Sequence, residues 1–273
     1  MTIFQAVLLG ILQGATEFIP VSSSGHLVIA PYLLGWQFKP KEAFVFDVLL
    51  QFATLVAVLI YFRQELFSIF FDLLIGIKER TPFRSPDARL GWLLLLSTLP
   101  AGSTALLFKD TFERAFSNPR TAALSLFGTS LFLLIAELIQ TRERSLYQVT
   151  WVDAIIIGIF QVFALFPGIS RSGTTISGGM IRGFQRETAA RFSFLMSVPV
   201  LTASGILAGY DLIQNPGLIA QLPVYMVGFI SAGLVGYAAI RWLLGYLSTR
   251  TLYPFSIYCF VLGSVVLGII KVI

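Results

Sequence analysis

The stretch Pro167–Thr175, PGISRSGTT, concentrates hydroxyl groups, helix-breaking residues and one guanidinium. Apolar runs flank it, so it is expected to lie at membrane depth, where an unpaired Arg171 would cost roughly 2.5–3.5 kcal/mol. Broken backbone at that depth is tolerated only inside protein or beside a wet cavity. Free N–H groups at a helix start, hydroxyls and a guanidinium together favour an anion such as phosphate. The alternative is a polar loop whose arginine pairs with an acidic residue.

A second polar cluster, GATEFIPVSSSGH, ends at His26, the only histidine of the chain. Glu17 in this cluster shares a helix face with Gln13, four residues earlier. Carboxylate and amide oxygens suit Mg²⁺ or Ca²⁺, and an imidazole is suited to moving protons near neutrality. Together with the guanidinium of the first stretch, this set suits phosphoryl transfer. Either Ser23 or His26 could attack phosphorus, or either could position a water.

Each of these residues also has a purely structural explanation. Glu17 could form an ion pair with Arg171, His26 could bridge helices, and the neighbouring serines could satisfy the backbone of a turn. Three further acidic residues lie near expected helix ends, where we expect them to be solvated or to cap helices: Glu137, Asp153 and Asp211.

The composition places both clusters in an integral membrane protein. The chain has 273 residues, of which 56% are hydrophobic and only 12% charged, whereas soluble domains carry about 25% charged residues. Loops that face an anionic cytoplasmic leaflet explain the net charge of +5 without a nucleic acid. The single cysteine, Cys259, excludes an internal disulfide and is expected to be a small packing residue.

Hydropathy predicts an all-α integral membrane protein with six transmembrane helices and two re-entrant helical hairpins. The hairpins cover residues 2–35 and 151–183 and carry the two polar clusters at their tips. An amphipathic helix is expected at about Leu66–Ile77. The six spans are expected at 43–62, 90–108, 121–139, 188–212, 222–244 and 253–272.

The two clusters also indicate an internal duplication, since a shift of 148 positions places identical residues on one another. The residues Gly10, Ile11, Gln13, Phe18, Ser22, Ser24 and Gly25 meet Gly158, Ile159, Gln161, Phe166, Ser170, Ser172 and Gly173. We therefore predict one membrane domain, 1–273, with repeats at about 1–140 and 149–273. Three spans and one hairpin per repeat make the second repeat inverted, so the tips meet from opposite faces near the midplane.

The distribution of the 19 Lys and Arg residues predicts the orientation. Twelve lie on one side, which is expected to be the cytoplasm, six lie on the other, and Arg171 lies inside. Both termini then face outward. The cytoplasmic set is Arg63, Lys78, Arg80, Arg84, Arg89, Arg142, Arg144, Arg182, Arg186, Arg191, Arg241 and Arg250. The outer set is Lys39, Lys41, Lys109, Arg114, Arg120 and Lys271.

Taken together, the clusters resemble the undecaprenyl pyrophosphate phosphatase family, the bacitracin-resistance phosphatases of bacteria. The resemblance rests on QGATEFIPVSSSGH at 13–26 and PGISRSGTTISGGM at 167–180, and it extends over essentially the whole chain. It implies hydrolysis of undecaprenyl pyrophosphate to the monophosphate, which recycles the lipid carrier of cell-wall synthesis. It also implies Mg²⁺ or Ca²⁺ and a site that opens to the outer face of the inner membrane.

The resemblance assigns roles to individual residues. The family's first motif has Glu or Gln, three residues and then Glu, which correspond to Gln13 and Glu17; the Gln form leaves one metal-binding carboxylate where many members have two. The motif serine and histidine correspond to Ser23 and His26, and whether one of them or a water attacks stays undecided. The phosphate-binding residues are implied to be Arg171, Ser170, Ser172 and Thr175.

Other functions remain to be weighed against this one. A polyprenyl-phosphate flippase or an anion transporter could use the same inverted repeats, but it would need no proton-transfer group such as His26. A purely structural membrane subunit would leave the cost of Arg171 unexplained. The oligomeric state stays open, and a homodimer is compatible with the sequence.

Overall fold

A computed structural model describes residues 1–108, 118–141, 143–213 and 220–272, with no side-chain description for 204, 207–213 and 271–272. Within these residues the chain is helical and forms no strand, and an isolated bridge joins Arg144 to Phe184. The predicted all-α class is therefore confirmed. Several charged residues used above lie outside the described residues or side chains: Lys109, Arg114, Arg142, Asp211 and Lys271.

The described residues form eleven α-helices and one 3₁₀ turn at Leu146–Gln148. The helices are α1 Ile3–Phe18, α2 Ser23–Leu33, α3 Pro40–Tyr61, α4 Arg63–Lys78, α5 Pro86–Leu107, α6 Pro119–Ile139, α7 Trp151–Phe163, α8 Arg171–Ile181, α9 Arg186–Ile213, α10 Leu222–Leu247 and α11 Tyr253–Val272. Helix α4 contains the whole expected amphipathic segment.

Five of these helices are long and apolar enough to cross a membrane: α3, α5, α6, α10 and α11. They correspond to five of the six expected spans. The sixth expected span corresponds to α9, which is 28 residues long but is not among the five.

Two pairs of short helices, α1–α2 and α7–α8, occupy the positions of the expected hairpins. Helices α1 and α7 have 16 and 13 residues, fewer than the roughly 20 that a span needs. In each pair a serine caps the second helix: Ser22 accepts from the N–H of Gly25 at 3.1 Å, and Ser170 accepts from the N–H of Gly173 at 3.0 Å. These caps lie at positions that the 148-residue shift equates.

Glycines bring the two short first helices close to their neighbours, α1 to α10 and α7 to α5. A Cβ added at Gly10 would lie 2.3 Å from the carbonyl oxygen of Gly228, and one added at Gly158 would lie 2.4 Å from that of Ser97. Small residues permit this backbone approach between helices in membranes. The two glycines also lie at equated positions, so the same kind of close contact occurs once in each half of the chain.

An aromatic pair anchors the end of α1 beneath the first polar cluster. Phe18 packs edge-to-face against Phe194 of α9, with ring centroids 5.2 Å apart, and both side chains are fully buried. Such pairs add roughly 0.5–1.5 kcal/mol beyond their burial. Because Phe18 directly follows Glu17, this packing holds the backbone next to the glutamate.

Two of the acidic residues that were expected to be solvated or to cap helices, Glu137 and Asp153, are buried, so solvation is ruled out for both. Glu137 is 6% exposed and accepts from the guanidinium of Arg186, with Nε at 2.7 Å. Asp153 is fully buried and pairs with Arg144 at 2.5 Å and Arg182 at 2.7 Å. It also caps α7 through its first turn, as expected. Buried carboxylates need such partners because leaving a charge unpaired inside protein is costly.

Candidate active site

Glu17 joins the tips of the two short helix pairs. Its Oε1 accepts from Nη2 of Arg171 at 3.0 Å, across 154 positions of sequence. Its Oε2 accepts from the hydroxyl of Ser23 at 2.6 Å and from Nε2 of Gln13 at 3.0 Å. The structure thus brings a carboxylate, an amide, a hydroxyl and a guanidinium to one point, and it contains the Glu–Arg ion pair that the sequence offered as an alternative.

The local sequence explains how Glu17 and Ser23 meet. Helix α1 ends because Ile19 precedes Pro20, and a residue before proline avoids the helical conformation; Ile19 is extended, with φ −60° and ψ 130°. Ser22 then turns the chain back with a positive φ of 75°, which is uncommon for a residue with a side chain. Ser23 opens α2 directly after this turn and points its hydroxyl at Glu17.

The second tip holds Arg171 at the first position of α8. Its Nη1 donates to the carbonyl of Ser193 on α9 at 3.2 Å. Thr129 of α6 fixes the loop before it, because its hydroxyl donates to the carbonyl of Gly168 at 3.0 Å and accepts from the N–H of Ser170 at 2.9 Å. Sequence reasoning missed Thr129 and Ser193, which look like ordinary hydroxyl residues of apolar helices.

The other predicted phosphate-binding hydroxyls are engaged around α8. Ser170 and Ser172 contact each other at 3.1 Å. Thr175 donates to the carbonyl of Arg171 at 2.7 Å and contacts the hydroxyl of Ser193 at 2.6 Å. All three side chains are buried. In the described part of the chain they support the helix that carries the guanidinium, and they make no hydrogen bond with the Glu17 carboxylate.

His26 lies beside this group but has other partners. Its Nδ1 is 2.6 Å from the carbonyl of Ser22, and its Nε2 is 2.8 Å from the hydroxyl of Tyr258 on α11. The rings of His26 and Tyr258 stack, with centroids 5.7 Å apart and an interplanar angle of 3°. No motif marks Tyr258, which is 232 positions away in an apolar helix. A hydroxyl inside a predicted span was its only signal.

Two buried polar atoms flank the carboxylate without a partner. Among the described residues, neither Oε1 of Gln13 nor Nε of Arg171 has a hydrogen-bond partner. Leaving such an atom unsatisfied costs about 1–3 kcal/mol. One atom is an acceptor suited to a cation, and the other is a charged donor suited to an anion. The described residues contain no group of three or more His, Cys, Asp or Glu that could hold a metal ion.

Comparison with known proteins identifies the family. The family described as "Bacitracin resistance protein BacA" matches residues 6–265, which include both polar clusters. The chain belongs to this family. The match confirms the resemblance inferred from the two clusters. Family membership and the five long apolar helices together show a multi-pass membrane protein.

Relatives named as undecaprenyl-diphosphatases match this chain over nearly its full length. The undecaprenyl-diphosphatase of Chloroherpeton thalassium is 44% identical, with 99% of this chain and 98% of that protein covered. The undecaprenyl-diphosphatase of Myxococcus xanthus is 40% identical, with 99% and 90% covered. That of Chlorobaculum tepidum is 41% identical, with 96% and 95% covered.

Proposed function

We propose that this chain is an undecaprenyl-diphosphatase, which hydrolyses undecaprenyl diphosphate to undecaprenyl phosphate and inorganic phosphate. The product is the lipid carrier of cell-wall synthesis, and its recycling is the basis of bacitracin resistance. Full-length relatives with this name support the proposal. The observation that carries it is the junction of Glu17 and Arg171, with an unpartnered acceptor on one side and an unpartnered cationic donor on the other.

The arrangement of this proposed enzyme in the membrane is an inverted repeat. We propose six spans and two re-entrant hairpins, whose tips enter from opposite faces and meet at Glu17 and Arg171. The equivalent serine caps and the equivalent contacts of Gly10 and Gly158 support a duplication. The chain lies in the bacterial inner membrane with both termini outside, and the site opens to the outer face, where the lipid's tail stays in the bilayer.

Arg171 binds the terminal phosphate of the substrate in this proposal. A guanidinium presents five N–H donors in a fork that matches phosphate oxygens, and Nε is already free in the described structure. The phosphate also competes with Glu17 for Nη2. Its arrival therefore releases one carboxylate oxygen while the guanidinium neutralises charge on the phosphoryl group.

Ser23 is the favoured nucleophile because its hydroxyl already donates to Glu17 at 2.6 Å. As Oγ bonds to the terminal phosphorus, the bond from phosphorus to the bridging oxygen breaks and Glu17 takes the hydroxyl proton. Undecaprenyl phosphate leaves. Water then hydrolyses the phosphoserine to inorganic phosphate and regenerates the hydroxyl.

The donor set also fits a divalent cation. We propose that Gln13 Oε1 and the carboxylate of Glu17 hold Mg²⁺ or Ca²⁺, since hard cations prefer oxygen ligands and Mg²⁺ needs only one or two carboxylates beside substrate phosphate. A bound cation would neutralise negative charge on the phosphate oxygens. One carboxylate at this site suits such a partly substrate-held ion.

Phosphate release by the purified protein tests the proposal. We expect release from undecaprenyl diphosphate with Mg²⁺ and loss of activity in EDTA that added metal restores. The variants Glu17→Ala, His26→Ala and Arg171→Ala should each lose at least about 100-fold in kcat/KM while remaining folded. Arg250→Ala, an exposed arginine away from the tips, is the control.

Two outcomes would overturn parts of this proposal. Full activity in Arg171→Ala would end the role of the second tip. No phosphate release from any polyprenyl diphosphate, with lipid translocation in reconstituted vesicles instead, would show the flippase alternative.

A further inference from the structure

The surroundings of His26 fix which of its ring nitrogens carries hydrogen. The carbonyl of Ser22 can only accept, so Nδ1 at 2.6 Å must be the donor. A neutral imidazole then has its lone pair on Nε2. The hydroxyl of Tyr258 at 2.8 Å therefore donates to Nε2.

The contact with Tyr258 constrains the ring as well as the proton. The near-parallel stack holds the imidazole plane against a residue from α11, whereas Ser22 belongs to the same tip as His26. His26 is buried, and Tyr258 is 45% exposed. One hydrogen bond from within the tip and one from a distant helix thus orient a single buried imidazole.

We propose that Tyr258 is a positioning residue for His26, which holds the imidazole in the Nδ1–H tautomer with Nε2 directed at the tyrosine hydroxyl. This inference rests on the proposed phosphatase function. In this tautomer, Nε2 of His26 is a proton acceptor whose lone pair already receives the hydrogen bond from the Tyr258 hydroxyl. Attack on phosphorus is left to Ser23, whose own partner is Glu17.

A spectroscopic test uses the fact that His26 is the only histidine. Protein labelled with ¹⁵N-histidine, and purified through a tag without histidine, gives ring signals from this residue alone. We expect a protonated Nδ1 and an unprotonated Nε2 in the wild type. Tyr258→Phe keeps the aromatic ring but removes the hydroxyl donor. The Nε2 signal of His26 should then shift, because the imidazole exchanges between its two tautomers.

Tyr225→Phe is the matched control, because Tyr225 is fully buried and its hydroxyl has no hydrogen bond partner among the described residues. It should leave the histidine spectrum and the activity unchanged. A wild-type spectrum with hydrogen on Nε2 would overturn the proposal, whether or not Tyr258→Phe folds.

Kinetics separate positioning from simple structural support. Loss of one hydrogen bond to a proton-transfer group should lower kcat about tenfold in Tyr258→Phe, with KM within about twofold of wild type. The same substitution in the His26→Ala background should cost nothing further, because the partner is gone. An equal loss in both backgrounds, or wild-type activity in Tyr258→Phe, would overturn the proposal.

The phosphatase function and the role of Tyr258 are tested by separate measurements. If the wild type releases no phosphate from undecaprenyl diphosphate, the proposed function falls, while the histidine spectrum still decides whether Tyr258 sets the tautomer.

Discussion

The carboxylate of Glu17 receives donors of three chemical kinds, a guanidinium, an amide and a hydroxyl. Only the amide shares its helix, and the hydroxyl follows six residues later across a turn. The guanidinium comes from the other half of the chain. These three donors satisfy the buried carboxylate. In the proposed mechanism it accepts the hydroxyl proton of Ser23 once Arg171 is drawn to the substrate.

Gln13 has a counterpart in the second half that makes its role testable. Gln13→Leu removes the unpartnered Oε1, so we expect the Mg²⁺ concentration for half-maximal activity to rise about tenfold or more, as ligand loss does at metal sites. Activity measured across a Mg²⁺ titration checks this.

Gln161, the equated residue, is the matched control for that titration. It is buried, and neither polar atom of its side chain has a hydrogen bond partner within the described residues. Gln161→Leu should leave the Mg²⁺ requirement unchanged and should not lower stability, because it removes unsatisfied polar atoms. Equal effects of the two substitutions would argue against a metal ligand at Gln13.

The contacts of the site divide into those that sequence could predict and those that it could not. Gln13 and Glu17 lie together because residues four apart share a helix face. The sequence also predicts the pair of Glu17 and Arg171 as one of two alternatives for the polar clusters. Tyr258 and Ser193 were missed. Their contacts join residues on separate helices, 232 and 22 positions apart, and no local pattern encodes such a meeting.

At the scale of the helix, the first residues were the least well predicted. Expected spans starting at 43, 90 and 121 begin instead at Pro40, Pro86 and Pro119. Hydropathy marks only the apolar part of a helix, whereas proline at the first turn, where no N–H bond is lost, extends it into polar sequence. The two hairpins are expected at 2–35 and 151–183, and the short helix pairs lie at 3–33 and 151–181, because proline, glycine and serine interrupt the apolar runs there.

The two close helix contacts predict paired effects on stability. Gly10→Ala and Gly158→Ala place a Cβ against a backbone oxygen that cannot rotate away. We expect each to lower the free energy of unfolding by about 1–3 kcal/mol, as overpacking does. Thermal unfolding of the detergent-solubilised protein checks this.

Gly102 and Gly245 provide the control, since nothing lies within 4 Å of an added Cβ at either position. Alanine there should be neutral or stabilise its helix by up to about 1 kcal/mol. If all four variants behaved alike, the close approach of α1 to α10 and of α7 to α5 would be refuted.

The whole molecule is held at its helix ends by buried ion pairs. Glu137 of α6 pairs with Arg186 of α9, 49 positions later. Asp153 of α7 pairs with Arg182, directly after α8, and with Arg144 in the segment before α7. The arginines of these ion pairs belong to the set that the sequence predicts on the cytoplasmic side. Their acidic partners could not be predicted, because the burial of Glu137 and Asp153 depends on how the helices pack. The same charge pattern carries the proposed orientation.

A labelling experiment tests this orientation. Lys39 and Lys78 are exposed and lie before α3 and at the end of α4. With a membrane-impermeant maleimide on spheroplasts, Lys39→Cys should react at once and Lys78→Cys only after permeabilisation. The native Cys259 is fully buried and should not react in either case. Reaction of Lys78→Cys from outside would invert the topology.

The 154 positions between Glu17 and Arg171 also set a waiting time during synthesis. At about 5–20 residues per second, Arg171 is made roughly 8–30 s after Glu17. Gln13 precedes the glutamate by four residues and Ser23 follows it by six, so both are made within about 0.2–1.2 s of it. During insertion they are therefore the first available partners of the carboxylate, and the arginine that begins α8 is the last.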